Sequence, residues 1–143
     1  MAAVAFLARR DYAAGELAAK LRVNGYESTV VATVIADLSA RRLLDDARYA
    51  GHFVDYHRAR GQGPLRIRRE LEGFGVAGAL IEAALRAVPD WAAVAREVRH
   101  RRFGPEAPAG WAEKGRQARF LQYRGFSNDH IRSALGPDLE LDS

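Results

Sequence analysis

Cysteine is absent from the 143 residues of this sequence, which excludes disulfide bridges and thiolate metal sites. Long apolar runs are absent too. Hydrophobic residues make up 48% of the chain, but charges interrupt them well before the ~20 consecutive residues that a membrane-spanning helix needs. The first twelve residues lack the basic start of a secretory signal peptide. We therefore expect a folded cytoplasmic protein that does not associate with membranes.

Residues that carry enzyme chemistry are few and scattered. The four histidines, at positions 52, 57, 100 and 130, show no spacing that would place two of them as metal ligands on one helix face. Asp45 and Asp46 resemble a catalytic pair of carboxylates, but their position just before a helix makes N-capping the simpler role. We expect a protein that is not an enzyme and that holds neither a metal nor a cofactor.

Lysine is scarce, with 2 residues against 20 arginines, and the arginines are unevenly distributed. Residues 41–69 contain eight arginines and three aspartates, residues 96–124 have the same net charge of +5, and residues 70–95 between them are net negative. Such alternation indicates two basic patches rather than a uniformly basic surface. The patches could bind a polyanion, or they could be solvated faces of ordinary helices.

Apolar residues recur at helical spacing along nearly the whole chain, and no stretch alternates with the period of two that is typical of strands. We expect an all-α protein. Capping side chains are expected at Ser28, at Asp45 or Asp46, and at Asp90. The predicted helices cover residues 3–10, 13–23, 28–41, 46–60, 64–73, 77–87, 90–103, 112–123 and 128–135.

Three glycines stand fifty residues apart, and their neighbours repeat with them. The positions that coincide in three copies are Leu21, Leu71 and Leu121, then Gly25, Gly75 and Gly125, then Ile35, Leu85 and Leu135. The chain is therefore predicted to be three tandem three-helix repeats stacked into an elongated, curved array. We place the repeats at residues 1–44, 45–88 and 89–137, followed by an acidic tail at 138–143.

The segment GQGP, residues 61–64, interrupts the first basic patch. A phosphate-binding loop of the Walker type needs lysine followed by serine or threonine after its last glycine, and these residues are missing. Pro64 instead suits the first position of a helix, where its missing N–H costs nothing. We interpret GQGP as a turn between two helices.

Arginines near this turn and in the third repeat are the candidates for contact with a partner. Arg96, Arg99 and Arg102 are predicted to share one ridge of a helix. The pairs Tyr49 with Tyr56 and Tyr123 with Phe126 could stack on bases, although core packing is the other interpretation. The full set of candidates is Arg58, Arg60, Arg66, Arg68, Arg69, Arg96, Arg99, Arg101, Arg102, Arg116, Arg119 and Arg124.

The chain resembles the RecX family over residues 5–136. The resemblance rests on RRDYAAGELAAKL, on LLDDARYAGHFVDYHRARGQGPLRIRRELEGFGV and on ARFLQYRGFSNDHIRSAL. Its most specific part is the pattern L-x-D-x-x-[YF]-A, an arginine, and G-x-x-x-I-x-x-E-L-x-x-x-G. Two departures stand in the first repeat: Ala13 replaces a capping serine or threonine, and the opening helix is short, so we expect that helix to be only partly formed.

The resemblance implies a regulator of the RecA recombinase. Such a protein is expected to bind RecA filaments on single-stranded DNA and to inhibit ATP hydrolysis, strand exchange and co-protease activity, and so to modulate recombination, DNA repair and the SOS response. It is expected to be a monomer that touches DNA weakly or through the filament. Two alternatives remain open: a stand-alone DNA-binding protein that uses a helix-turn-helix-like repeat, and a helical scaffold.

Overall fold

A computed structural model of the protein describes residues 2–136, and that part of the chain consists of helices without strands. The predicted acidic tail at 138–143, together with residue 137, lies outside the described residues. The helices are α1 (Ala2–Arg9), α2 (Ala14–Val23), α3 (Ser28–Ala40), α4 (Asp46–Ala59), α5 (Pro64–Gly73), α6 (Gly78–Arg86), α7 (Trp91–Phe103), α8 (Gly110–Arg124) and α9 (Asn128–Leu135). The prediction of an all-α tandem-repeat fold is confirmed.

Each group of three helices has its own small apolar core. The first is built around Leu17, Leu21, Val31 and Leu38, and equivalent leucines and isoleucines fill the second and third. The closest helix pairs, such as α7 with α9 and α4 with α6, lie within one repeat. The accessible surface is 8604 Å², against about 7300 Å² for a compact protein of this mass, which agrees with an extended array.

Two of the three predicted helix caps are confirmed. The side chains of Asp45 and Asp90 accept hydrogen bonds from the backbone N–H groups of Arg48 and Ala93. The prediction for Ser28 is wrong, because Ser28 is the first residue of α3 and the N-cap Glu27 makes no side-chain cap. Asp46 instead reaches the first repeat, where it accepts a 2.8 Å hydrogen bond from the N–H of Ala14.

The first repeat is better ordered than its sequence predicted. The expectation of a partly formed opening helix is wrong: α1 spans eight residues and buries Ala3 completely. Ala13 makes no side-chain cap at the start of α2, and its methyl group is fully buried in the core of the second repeat. A methyl side chain at this position therefore serves packing between repeats.

The glycines of the fifty-residue repeat follow the second helix of each unit. Gly25, Gly75 and Gly125 have φ values of 93°, 78° and 99°, a conformation that only glycine adopts without strain. The turn at Gly125 also forms hydrogen bonds with the second repeat. The carbonyl oxygen of Gly125 accepts from the N–H of Leu65 at 2.9 Å, and that of Arg124 accepts from the N–H of Gly63 at 2.8 Å. The start of α5 is thus bonded to the end of α8.

The same arrangement joins the first and second repeats. A Cβ atom on Gly15, near the start of α2, would lie 2.7 Å from the carbonyl oxygen of Phe74 and 3.3 Å from the Cα of Gly75. Helices α8, α5 and α2 therefore follow one another end to end, and we call this arrangement the helix column. Gly63 is the N-cap of α5 and Pro64 is its first residue, so GQGP is a helix-to-helix turn.

Candidate polyanion-binding cleft

Arginines from both predicted basic patches meet where the second repeat contacts the third. The turn after α4 contributes Arg60, the last turn of α7 contributes Arg101 and Arg102, and the end of α8 contributes Arg124. Together with Gly61, Val98 and Phe120, these four arginines line a cavity of about 160 Å³. We call it the four-arginine cleft. Side chains about forty to sixty residues apart in the sequence thus form one site.

The Phe120 ring holds two of these guanidinium groups. The Cζ atoms of Arg102 and Arg124 lie 5.5 and 5.2 Å from its centroid, and Phe103 packs edge-on against the same ring at 5.3 Å. Cation–π contacts position a guanidinium without neutralising it, because the ring carries no net charge. Arg60 is held similarly over Tyr56, at 4.6 Å from the ring centroid.

Most of the positive charge in the cleft is uncompensated. Within residues 2–136, Arg60, Arg102 and Arg124 form no ion pair with a carboxylate, while Arg101 pairs with Glu97 at 2.7 Å. Three free guanidinium groups around a small concave surface create a positive potential that favours an anion. The planar guanidinium group can form two parallel hydrogen bonds with either a carboxylate or a phosphate group.

A second concave surface lies at the same junction. It is a groove of about 430 Å³ between α5 and the end of α8, lined by Leu65, Arg66, Arg69, Glu70, Gln122, Tyr123 and Gly125. Arg69 is exposed, and Tyr123 is 81% exposed. Arg66 is paired with Glu70 at 3.2 Å, so this groove is less positive than the four-arginine cleft.

Several predicted contact residues are engaged in ion pairs on the protein's own surface. Arg68 donates two hydrogen bonds to Glu82, at 2.7 and 3.2 Å, and thereby lowers the pKa of that carboxyl group. Arg58 lies 3.8 Å from Asp55. These two arginines carry less free charge than the first patch implied.

The arginines of the third repeat divide in the same way. Arg96 contacts Asp90 and the hydroxyl group of Ser133. Arg116 is bonded to Glu113 at 2.7 Å, and together with Gln117 it holds the pKa of Glu113 at about 2. Arg119 is exposed on the outer face of α8.

The prediction that Arg99 lies on an exposed ridge is wrong. Its side chain is only 8% exposed, and its guanidinium donates to the side-chain oxygen of Gln117 at 3.0 Å and to the carbonyl oxygens of Gly104 and Glu106. The segment after α7 folds back over this side chain. Arg99 therefore holds that connection against α8, and the exposed charges of the ridge are those of Arg96 and Arg102.

The four candidate stacking residues separate into two classes. Tyr49 and Phe126 pack in the cores, where burial raises the pKa of Tyr49 to about 12. Tyr56 and Tyr123 are exposed beside the cleft and the groove. Sequence reasoning missed Phe120, although its spacing of four residues from Arg124 places the two on the same face of a helix.

Metal-binding clusters and membrane-spanning helices are both absent from the part of the chain that the structure describes. Residues 2–136 contain no group of three histidine, aspartate or glutamate side chains arranged to hold a metal ion. None of the helices in the same range is both long and apolar enough to cross a membrane.

Comparison with known proteins identifies the same family in all three repeats. The RecX family profiles for the first, second and third three-helix domains match residues 1–38, 45–85 and 90–135. The chain is 47% identical to the regulatory protein RecX of Halorhodospira halophila (strain DSM 244 / SL1) over 134 residues, which cover 93% of this chain and 83% of the relative. It is 40% identical to the regulatory protein RecX of Pseudomonas tolaasii over 140 residues, covering 96% and 90%.

Solved structures show the same architecture. The crystal structure of RecX from Lactobacillus salivarius matches with a TM-score of 0.79, covering 93% of this chain and 89% of that chain. The sequence identity is 22%, so this likeness concerns the fold alone.

Proposed function

The chain belongs to the RecX family, and on that premise we propose that it binds RecA filaments assembled on single-stranded DNA. In this proposal it acts in the cytoplasm without catalysing a reaction. It inhibits RecA's ATPase, strand-exchange and co-protease activities, and through them it modulates recombination, DNA repair and the SOS response.

The observation that carries the proposal at the level of residues is the four-arginine cleft. Single-stranded DNA in such a filament carries one negative charge per phosphate group, and an array of repeats can lie along an extended anionic surface. Arg60, Arg102 and Arg124 are available for those anions because no carboxylate in the described chain neutralises them. Their fixed positions reduce the entropy that is lost when contact forms.

The alternative, a stand-alone DNA-binding protein that uses a helix-turn-helix-like repeat, has less support. In a helix-turn-helix module, the second helix enters the major groove with basic and polar side chains. The third helix of each repeat would take that place here, but α3 carries no basic residue and α6 carries only Arg86. Helix α9 carries His130 and Arg132, and Arg132 is paired with Asp129. The positive charge instead gathers at the junction between repeats, at the ends of α4, α7 and α8.

The proposal is tested by titrating RecA's single-strand-dependent ATPase with this protein at fixed DNA. Inhibition is expected with less than one regulator per RecA protomer. Reversing the three free charges (Arg60→Glu, Arg102→Glu, Arg124→Glu) should raise the half-inhibitory concentration about tenfold or more, since each charge-assisted contact contributes ~1 kcal/mol or more.

A charge-matched control uses exposed arginines outside the cleft: Arg9→Glu, Arg41→Glu and Arg86→Glu. It should inhibit like the wild type, and circular dichroism checks the helicity of both variants. If the cleft variant inhibits the RecA ATPase as strongly as the wild type does, the four-arginine cleft is not part of the contact with the filament. No inhibition by the wild type, with tight and steeply salt-dependent binding to bare DNA, would favour the stand-alone DNA-binding protein.

A further inference from the structure

One end of the helix column is open. The carbonyl groups at the end of α8 accept hydrogen bonds from the start of α5. The backbone at the end of α5 lies against the start of α2. The end of α2, at Asn24 and Gly25, is the equivalent position in the first repeat. A Cβ atom on Gly25 would meet nothing within 4 Å, whereas one on Gly125 would lie 2.4 Å from the Cβ of Arg66.

Three apolar side chains around this open end are exposed. Tyr26 is 42% exposed, while its equivalents Val76 and Phe126 are 5% and 2% exposed under the preceding repeat. Val23 and Val30 are 86% and 45% exposed beside it. We call Val23, Gly25, Tyr26 and Val30 the open face. It has the apolar side chains of a repeat junction, but residues 2–136 leave it exposed.

The opposite end of the column has the complementary features. Helix α8 begins at Gly110, whereas α2 and α5 begin at the equivalents of residue 114. The extra turn extends the helix by about 6 Å at 1.5 Å per residue. Its N-cap, Ala109, has no side chain that can accept from the first N–H groups, and Trp111 in that first turn is 67% exposed. A helix start with unsatisfied donors and a large apolar side chain therefore protrudes from the third repeat.

We propose that the open face binds the start of α8 from a second copy of this chain. The first N–H groups of that helix donate to the carbonyl oxygens of Asn24 and Gly25, in the way that Gly63 and Leu65 donate to Arg124 and Gly125. The Trp111 ring covers Tyr26 and Val30. The positive start of one helix meets the negative end of another, as in the two junctions within the chain.

Such a contact is head-to-tail and does not close on itself. Each copy keeps one free α8 start and one free open face, so copies add in a row. A contact of one helix end buries far less than the roughly 1,200 Å² of a stable interface, so the free protein stays mainly monomeric at low concentration. Copies that another surface aligns end to end would associate through this contact. The association concerns this chain alone and stands apart from the proposed function.

The absence of cysteine permits a direct test by cross-linking. Val23→Cys labels the open face and Ala112→Cys labels the protruding helix start, both at exposed positions. The two variants are mixed at ~0.5 mM, a concentration suited to a weak contact, and treated with a short bismaleimide. We expect the 23–112 heterodimer to exceed each homodimer by about fivefold or more, because only that pair joins unlike ends.

Gly25→Asn provides the blocking variant, since asparagine tolerates positive φ and the free protein has room for its side chain. Added to Val23→Cys, it should reduce the heterodimer to about twice each homodimer, the ratio that random collision gives. The matched control, Gly78→Asn, adds the same side chain at an exposed glycine with nothing within 4 Å, and should leave the yield unchanged. A heterodimer at only about twice each homodimer, as random collision in an equal mixture gives, or an excess that survives Gly25→Asn in a folded protein, would overturn the proposal.

Discussion

The junction between the second and third repeats can be tested with one substitution made at three equivalent glycines. Alanine at Gly25, Gly75 or Gly125 imposes the same backbone cost, because all three have positive φ. That cost is about 1–2 kcal/mol for a residue with a Cβ atom. The three variants differ only in the atoms that surround the new Cβ atom. Differences in their free energy of unfolding therefore measure how tightly each turn is packed.

The structure predicts a clear order for the three variants. The Cβ of Gly25→Ala meets nothing within 4 Å, and that of Gly75→Ala lies 3.5 Å from the Cα of Gly15, an ordinary contact. The Cβ of Gly125→Ala would lie 2.4 Å from the Cβ and 2.7 Å from the backbone nitrogen of Arg66. Carbon atoms pack at about 3.5–4.0 Å, so α5 must move away by about 1 Å.

That movement breaks the two hydrogen bonds from Gly63 and Leu65, which contribute about 0.5–1.5 kcal/mol each. We therefore expect Gly125→Ala to lose about 1–3 kcal/mol more than Gly25→Ala, with Gly75→Ala close to Gly25→Ala. Urea unfolding followed by circular dichroism at 222 nm measures the three values. Equal losses at Gly25 and Gly125 would refute the account of this junction.

Two further predictions concern side chains of the third repeat. Replacing Arg99 with methionine leaves the oxygen atoms of Gln117, Gly104 and Glu106 without their hydrogen-bond donor. We expect this to lower the free energy of unfolding, measured by urea titration, by about 2–4 kcal/mol. The control Arg101→Met removes an exposed ion pair and should change that free energy by less than ~1 kcal/mol. Burial lowers the pKa of His130. Below about pH 6.5 the unfolded state therefore binds more protons than the folded state, and stability should fall as the pH drops from that value through the lowered folded pKa. His130→Gln should reduce this slope in melting curves measured at pH 5 to 8; an unchanged slope would contradict the assignment.

The helices and the repeat could be predicted because they depend on local patterns. Apolar spacing, capping aspartates and glycines after helices act over a few residues, and the predicted helix limits lie within two residues of the observed ones. The error at Ser28 has a local cause as well. Serine is also acceptable in the first turn of a helix, so its presence does not decide which residue is the cap.

The candidate site could be predicted only in part. The arginine pattern identified both patches, but their meeting at one cleft depends on how the second repeat is placed on the third. Which arginines are free also depends on distant partners: Arg68 is paired with Glu82 from the next helix, and Arg99 is covered by a connection that follows its own helix. A single sequence carries no local signal for either contact.

The two junctions of the array are unequal, and this has a consequence for how the protein opens. Trp91 packs against both the second and the third core, its indole N–H donates to the carbonyl oxygen of Leu85, and two further backbone bonds join the same repeats. The first repeat is attached through Ala13, Gly15, the bond from Ala14 to Asp46 and the side chain of Tyr49, which interacts with Glu16 and Arg10. No backbone–backbone hydrogen bond joins it to the second repeat within residues 2–136. In a linear array each unit is stabilised by its neighbours alone. We therefore expect the second and third repeats to unfold as one cooperative unit, and the amide protons of the first to exchange with solvent through a separate opening of lower free energy.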